Sequence, residues 1–183
     1  MEEGPLLIVE DDAVLADTVP DLMRYVKNMP DMDHLTLEAR GRRKLLGNTA
    51  YPIATQVAAR RLYHDPSGSA AYFLWPSGAE KLLARADAGA APVSRLIASV
   101  RDLHSYQCEP ACAVQLDMVG YYDISASVAT ISRTKDGGEP SRTTMTQHAR
   151  RWREQMFRKL RGLRYITSAR RERVAVMPEF FEI

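Results

Sequence analysis

Residues 5–15 read PLLIVEDDAVL, and the reading of this stretch decides the fold. Leu6, Leu7, Ile8 and Val9 form an uninterrupted aliphatic run, long enough for a buried strand and too short for a buried helix. Such a run suits the interior of a parallel sheet, whose strands are covered on both faces. It ends in Glu10, Asp11 and Asp12, at the carboxyl end of the expected strand, where open α/β sheets hold their ligands. Three adjacent carboxylates repel one another, and a hard cation with oxygen ligands, Mn²⁺ or Mg²⁺, relieves that repulsion. The expectation is an α/β fold with a metal site at Glu10, Asp11 and Asp12; capping of the following helix is the plainer use of the same acids.

At 183 residues and 45% hydrophobic, the chain has the size of one globular domain with a core of its own. No apolar run approaches the roughly 18 residues of a membrane span. The N-terminus opens on Glu2 and Glu3 rather than on a basic segment before a long apolar one, so a cytoplasmic location is expected. Cys108 and Cys112 have no second cysteine pair to complete a zinc site and are expected as buried free thiols. The net charge of +2 hides a polarity along the chain. Residues 1–141 carry 14 Lys/Arg against 19 Asp/Glu, whereas residues 142–173 carry 11 against 2.

Val19, Leu22, Met23 and Val26 recur at helical spacing behind Asp17 and Thr18, either of which can cap the helix, with Pro20 in its first turn. Residues 34–37 read as the next short strand, preceded by Asp31 and Asp33. Arg40, Arg42, Arg43 and Lys44 follow in an expected loop, either solvated or meeting a phosphate. Residues 50–63 are strand-like without a clean period. Residues 69–75, SAAYFLW, form a strand stopped by Pro76. Ser77 and Glu80 then match a capping box, ahead of a helix with the stripe Ala79, Leu82, Leu83 and Ala86. Gly68, Ser69, Ala70 and Ala71 are small enough for a ligand or another strand to approach closely.

Behind Pro92, a further helix carries Val93, Leu96, Ile97 and Val100, with Leu103 one turn on. Asp102 and His104 near its end are candidate catalytic bases or plain surface residues. Asp136, Gly137, Gly138 and Pro140 mark a boundary between a body, residues 1–140, and a basic segment, residues 141–183. There Ala149, Trp152, Met156, Leu160 and Leu163 line one side of an amphipathic helix flanked by arginines. Such a helix lies on an anionic membrane surface, docks on the body by its stripe, or meets nucleic acid; nucleic acid is the weakest fit of the three.

Two known families share the opening motif. LIVEDD resembles the first strand of a response-regulator receiver domain. A receiver, however, needs an acceptor aspartate on a third strand and a later Lys-Pro; residues 50–63 hold no acid, and no Lys-Pro occurs in the chain. The second resemblance spans residues 5–125 and rests on three blocks: Glu10-Asp11-Asp12 with Ala13, Val14 and Leu15; Asp33-His34-Leu35-Thr36-Leu37; and Gly68-Ser69-Ala70-Ala71-Tyr72 with the segment SGAEKLL at residues 77–83. Together they are similar to glycosyltransferase family 25, the enzymes of lipopolysaccharide and lipooligosaccharide assembly.

The resemblance implies a partial GT-A-like fold and transfer of a hexose, galactose or glucose, from a nucleotide diphosphate sugar to a saccharide or lipid-linked saccharide acceptor. It implies Mn²⁺ or Mg²⁺ held by Asp12 with Asp11 or Glu10, and a sugar or acceptor site bordered by Gly68, Ser69, Ala70, Ala71 and Tyr72. The basic terminal helix would keep such an enzyme peripheral on the inner membrane. Two features depart from the pattern. Family members carry a longer stretch ahead of the acidic motif, with a Ser-His motif, whereas here Leu6 comes almost at once. Ser94 stands where the family pattern Pro-x-Asp places its aspartate, so the base is unassigned. An inactive remnant or a non-catalytic binding module of the same fold is the alternative.

Overall fold

The computed structural model describes residues 4–29, 31–64, 68–89, 91–125 and 168–181. The chain divides into two units, residues 1–126 with 168–183, and residues 127–167; the described residues all belong to the first. The amphipathic helix expected over residues 149–164 and the boundary at residues 136–140 lie outside the described residues.

The first unit is a mixed α/β fold around an open sheet. Its strands are β1 (Leu6–Val9), β3 (His34–Thr36), β4 (Arg43–Ala54), β5 (Val57–His64), β6 (Ala71–Leu74), β7 (Ser105–Glu109) and β9 (Ala169–Arg173), in the spatial order β1-β6-β3-β7-β5-β4-β9. Of the neighbouring pairs only β3 and β7 run parallel. A separate antiparallel pair joins β2 (Ala13–Leu15) to β8 (Ala113–Gln115). Three helices complete the unit: α1 (Val19–Tyr25), α2 (Pro76–Asp87) and α3 (Val93–Ser99).

The opening strand is therefore not an interior strand of a parallel sheet. β1 pairs antiparallel with β6 at one end of the described strand order, and Leu6 is 69% exposed. The four-residue aliphatic run fixes a strand but not its neighbours, and β1's partner is β6, far along the chain, rather than the next strand, β2, which lies in a separate pair with β8. The interior position belongs instead to β3, whose three residues are all buried.

Side-chain alternation across β3 gives the two faces different characters. Leu35, flanked by Phe73 of β6, points into the main core with Val19, Leu22 and Val26. Met23, expected on the same helical stripe, is 44% exposed, because the buried face is narrower than the sequence suggests. On the other face, α2 and α3 cover Tyr72 with Leu82, Ile97 and Leu103. Farther along that face the buried residues are polar. Lys44, expected in a loop, lies inside β4 at 2% exposure, and its Nζ donates to Gln107 Oε1 at 2.6 Å and to the Glu38 carbonyl at 3.0 Å. The cysteines are free and buried as expected, with sulfurs 3.3 Å apart.

The expected capping box does not form. Trp75 is the N-cap of α2 without a side-chain cap, and Ser77 Oγ donates instead to Asp33 Oδ1 at 2.6 Å. The buried side of α2 is turned to Gly78 and Leu82, leaving Leu83 66% exposed. Gly78 explains the rotation. A Cβ there would lie 2.2 Å from the Asp33 carbonyl oxygen, so only glycine lets the helix sit this close to the start of β3. Alanine is ordinarily the better helix residue by about 1 kcal/mol. Gly78→Ala is nonetheless expected to destabilise the protein by about 3 kcal/mol or more through overpacking against backbone, read as a fall in the urea midpoint.

Candidate functional site

β6 starts between the carboxyl ends of β1 and β3, and this geometry assembles the candidate site. The Glu10 N–H donates to the Ala70 carbonyl at 2.7 Å, and the Leu37 N–H to the Ala71 carbonyl at 3.0 Å. Both strand ends thus hang on the same short segment. Two carboxylates come with them. Ser69 Oγ donates to Glu10 Oε1 at 2.7 Å and Gln115 Nε2 to Glu10 Oε2 at 3.4 Å, while the Ala70 N–H donates to Glu38 Oε2 at 3.0 Å. Gly68, at φ +106°, lets the chain pass: a Cβ there would stand 3.0 Å from Glu38 Oε2 and would need a backbone conformation that side-chain-bearing residues rarely adopt.

The two carboxylates differ in surroundings. Glu38 is fully buried, and its Oε1 has no hydrogen bond; Arg40 Nε lies 3.9 Å from it. Burial pushes the Glu38 carboxyl above the usual carboxylate range, and the charge of Glu10 adds to the effect. The Ala70 N–H, Lys44 and Arg40 oppose it without cancelling it. Glu10 is half-buried and has donors on both oxygens. Arg40 is also held by Asp117, Nη2 to Oδ2 at 2.9 Å. Burial likewise raises the Tyr72 phenol, with Glu10 contributing.

Of the residues expected from sequence, Glu10 and the segment of Gly68, Ser69, Ala70, Ala71 and Tyr72 come together here. Asp11 and Asp12 do not join them, since both are exposed in the turn after β1. Among the described residues no group of three His, Cys, Asp or Glu side chains is arranged to hold a metal. Glu10 itself accepts from Ser69 Oγ and from Gln115 Nε2.

Asp102 and His104 lie elsewhere. Both are exposed at the start of β7, level with Asp33. Glu38 is five residues beyond Asp33 on the same chain path, about 16 Å along an extended strand. Asp33 rather than either of them is the focus of that end. It accepts from Ser77 Oγ, from Lys81 Nζ and from the His104 N–H, each at 2.6 Å. Burial alone would raise the Asp33 carboxyl, but these donors outweigh it and hold it below its usual range.

No family model, no curated protein and no solved structure matches this chain. The site rests on its own geometry. Glu38, Arg40, Gln115 and Asp117 were not singled out from the sequence as site residues. One signal for Glu38 was present: it closes the stretch HLTLE much as Glu10 closes LLIVE.

The two acids of this strand predict opposite pH signatures. The depressed Asp33 carboxyl contributes stability that is present above its ordinary value of 3.8 and is lost as pH falls through the lower folded value. Asp33→Asn should therefore destabilise by about 2 kcal/mol at pH 7, a gap that narrows in acid. The raised Glu38 carboxyl works the other way: the wild type loses stability as pH rises from 4.5 through the higher folded value. Glu38→Gln should gain stability relative to wild type over that interval. Thermal melts of all three proteins between pH 3 and pH 8 separate the two signs.

Proposed function

We propose that the Glu10 and Glu38 end of the sheet is a glycosyl-transfer site, in which a nucleotide diphosphate sugar is the donor and a saccharide hydroxyl, free or lipid-linked, is the acceptor. The observation that carries this reading is the inequality of two neighbouring carboxyls. Glu38 is buried, biased toward its protonated form and has an oxygen without a hydrogen bond. Glu10 reaches the same segment from a half-buried position. Carboxyls whose environments differ in this way divide acid and base work between them.

In this reading Glu10, released from Ser69, accepts the proton of the acceptor hydroxyl as the new bond to the sugar carbon forms. Glu38 gives its proton toward the departing diphosphate oxygen, and Arg40 offsets the charge that accumulates there. Gly68 and Ser69 leave room for the sugar. The fold is then a partial GT-A-like sheet. The work is on cell-envelope glycan at the cytoplasmic side of the inner membrane, as the resemblance to glycosyltransferase family 25 implies. A Mn²⁺ or Mg²⁺ ion would enter with the donor, chelated first by the diphosphate oxygens. The competing reading is a non-catalytic binding module, favoured by one observation: both oxygens of Glu10 are engaged by Gln115 and Ser69.

Release of UDP from UDP-galactose and UDP-glucose, with and without Mn²⁺, tests the proposal. The wild type should release UDP, and Glu38→Gln should be slower by about 10²-fold or more, the size of a general-acid contribution. No release by the wild type under any of these conditions leaves the binding module. Collapse in Asp12→Ala together with an absolute need for Mn²⁺ would return the chemistry to the acidic trio.

A further inference from the structure

The basic C-terminal stretch takes a form that the sequence does not suggest where it re-enters the described residues. Residues 169–173 are the strand β9, paired antiparallel with β4. The register sets Arg173 directly opposite Arg43 and Arg171 opposite Leu45. Alternation then puts Arg43, Arg171 and Arg173 on one face of the strand pair. All three are exposed, as is Arg42 beside them. Like charges directly opposite in a sheet are destabilising. Among the described residues no carboxylate lies within ion-pair reach of any of these four arginines to relieve it.

The spacing is regular. Arg171 and Arg173 are about 6.7 Å apart along the strand, with Arg43 about 5 Å across from Arg173. An aromatic side chain adjoins the row. Tyr121 is 58% exposed, packs against Gly41 two residues before Arg43, and is held edge-on by Tyr122 with ring centroids 4.9 Å apart. A row of guanidiniums without a carboxylate partner among the described residues, with an exposed ring beside it, is the combination that binds single-stranded nucleic acid, phosphates on the cations and a base on the ring. A lipid surface fits less well. Of the large apolar side chains exposed among the described residues, Tyr121 lies beside the start of the row; Leu6, Val9, Met23, Tyr25, Leu83 and Val93 belong to β1, α1, α2 and α3, and Tyr51 to the part of β4 beyond its pairing with β9.

We infer that the β4 and β9 face, with Arg42, Arg43, Arg171, Arg173 and Tyr121, is a binding surface for single-stranded nucleic acid held through its phosphate backbone. This does not depend on the transfer reading. The row does lead toward the carboxylate site, since Arg40, three residues before Arg43, contacts both Glu38 and Asp117.

The probe is a fluorescein-labelled 20-nucleotide oligothymidylate, followed by anisotropy at increasing NaCl, with vesicles of phosphatidylcholine and 30% phosphatidylserine as the comparison. The full-length wild type should bind the oligonucleotide with a log–log salt slope of about −3, as four phosphate contacts on a single strand require. Arg43→Gln/Arg171→Gln/Arg173→Gln should bind at least tenfold more weakly, with a much shallower slope, and Tyr121→Ala should lose affinity without changing the slope. Arg173→Glu supplies the control for folding: facing Arg43, it should raise the melting temperature while weakening oligonucleotide binding. Absence of oligonucleotide binding, binding that the triple substitution leaves intact, or binding to the anionic vesicles alone overturns the inference.

Discussion

One buried carboxylate holds the centre of this fold together. Asp33 stands at the start of β3 and takes donors from α2, through Ser77 and Lys81, and from the chain that enters β7, through the His104 N–H. Its own backbone is tied in as well: the Trp75 N–H donates to its carbonyl at 3.0 Å, and its N–H donates to the His104 carbonyl at 3.1 Å. The glycine at position 78 exists for the same junction, since nothing larger fits over that carbonyl. With the helix and the strand entry fixed there, the parallel pairing of β3 and β7 and the antiparallel pairing of β3 and β6 fall into register. A buried charge is expensive unless paired and hydrogen-bonded, and Asp33 meets both conditions.

The other end of the same strand is the opposite case. Glu38 is as deeply buried, yet one of its oxygens lacks a hydrogen bond, and Arg40, 3.9 Å from that oxygen, is shared with Asp117. Folding by itself gives no reason to leave it so, because a neutral or apolar side chain of similar size would avoid the penalty. Burial with incomplete satisfaction raises a carboxyl above its usual range. Sites that perform chemistry are where such an arrangement is concentrated. The two ends of β3 thus set an acid that serves the fold against one that the fold has to tolerate.

Much of the secondary structure was legible in the sequence, and the reasons for the exceptions are physical. The aliphatic run at residues 6–9 identified a strand but not its neighbours, because a four-residue run looks the same at the edge of a sheet and within it. The helical stripe of α1 was visible from Val19, Leu22 and Val26. That of α2 was read one position off, because the deciding residue is a glycine, which carries no hydropathy. Ser77 matched a cap by spacing, but a nearby carboxylate offered a stronger partner than a backbone N–H. Lys44 read as surface because burial of a lysine depends on an amide and a carbonyl, Gln107 and Glu38, and the amide is distant in sequence. At the candidate site, Glu10 lies against Ser69 and Ala70 as sequence order alone would not require, and Glu38, which joins the same segment, sits in no acidic cluster that marks it. Asp11 and Asp12 follow Glu10 into the exposed turn after β1, and the carboxylate that shares the Ser69–Ala70 segment with Glu10 is Glu38, from another part of the chain.

The same distinction between sequence adjacency and spatial pairing governs the basic segment. Read as a string, residues 142–173 are a dense positive run, with an amphipathic stripe from Ala149 to Leu163. Beyond that stripe, at residues 169–173, the arginines are set by strand register, which places one guanidinium facing another across β4 and β9. Arg60, on the neighbouring strand β5, shows that this fold can neutralise an arginine when neutralisation serves it: Glu109 and Glu172 both contact its Nη1, at 2.9 and 2.6 Å. Among the described residues, acidic partners are therefore supplied to Arg60 and not to the arginines on the exposed face. An uncompensated row on an otherwise mildly acidic body concentrates positive potential in one place, and such a field acts most strongly on an anion that is itself extended and repeats its charge at a comparable interval.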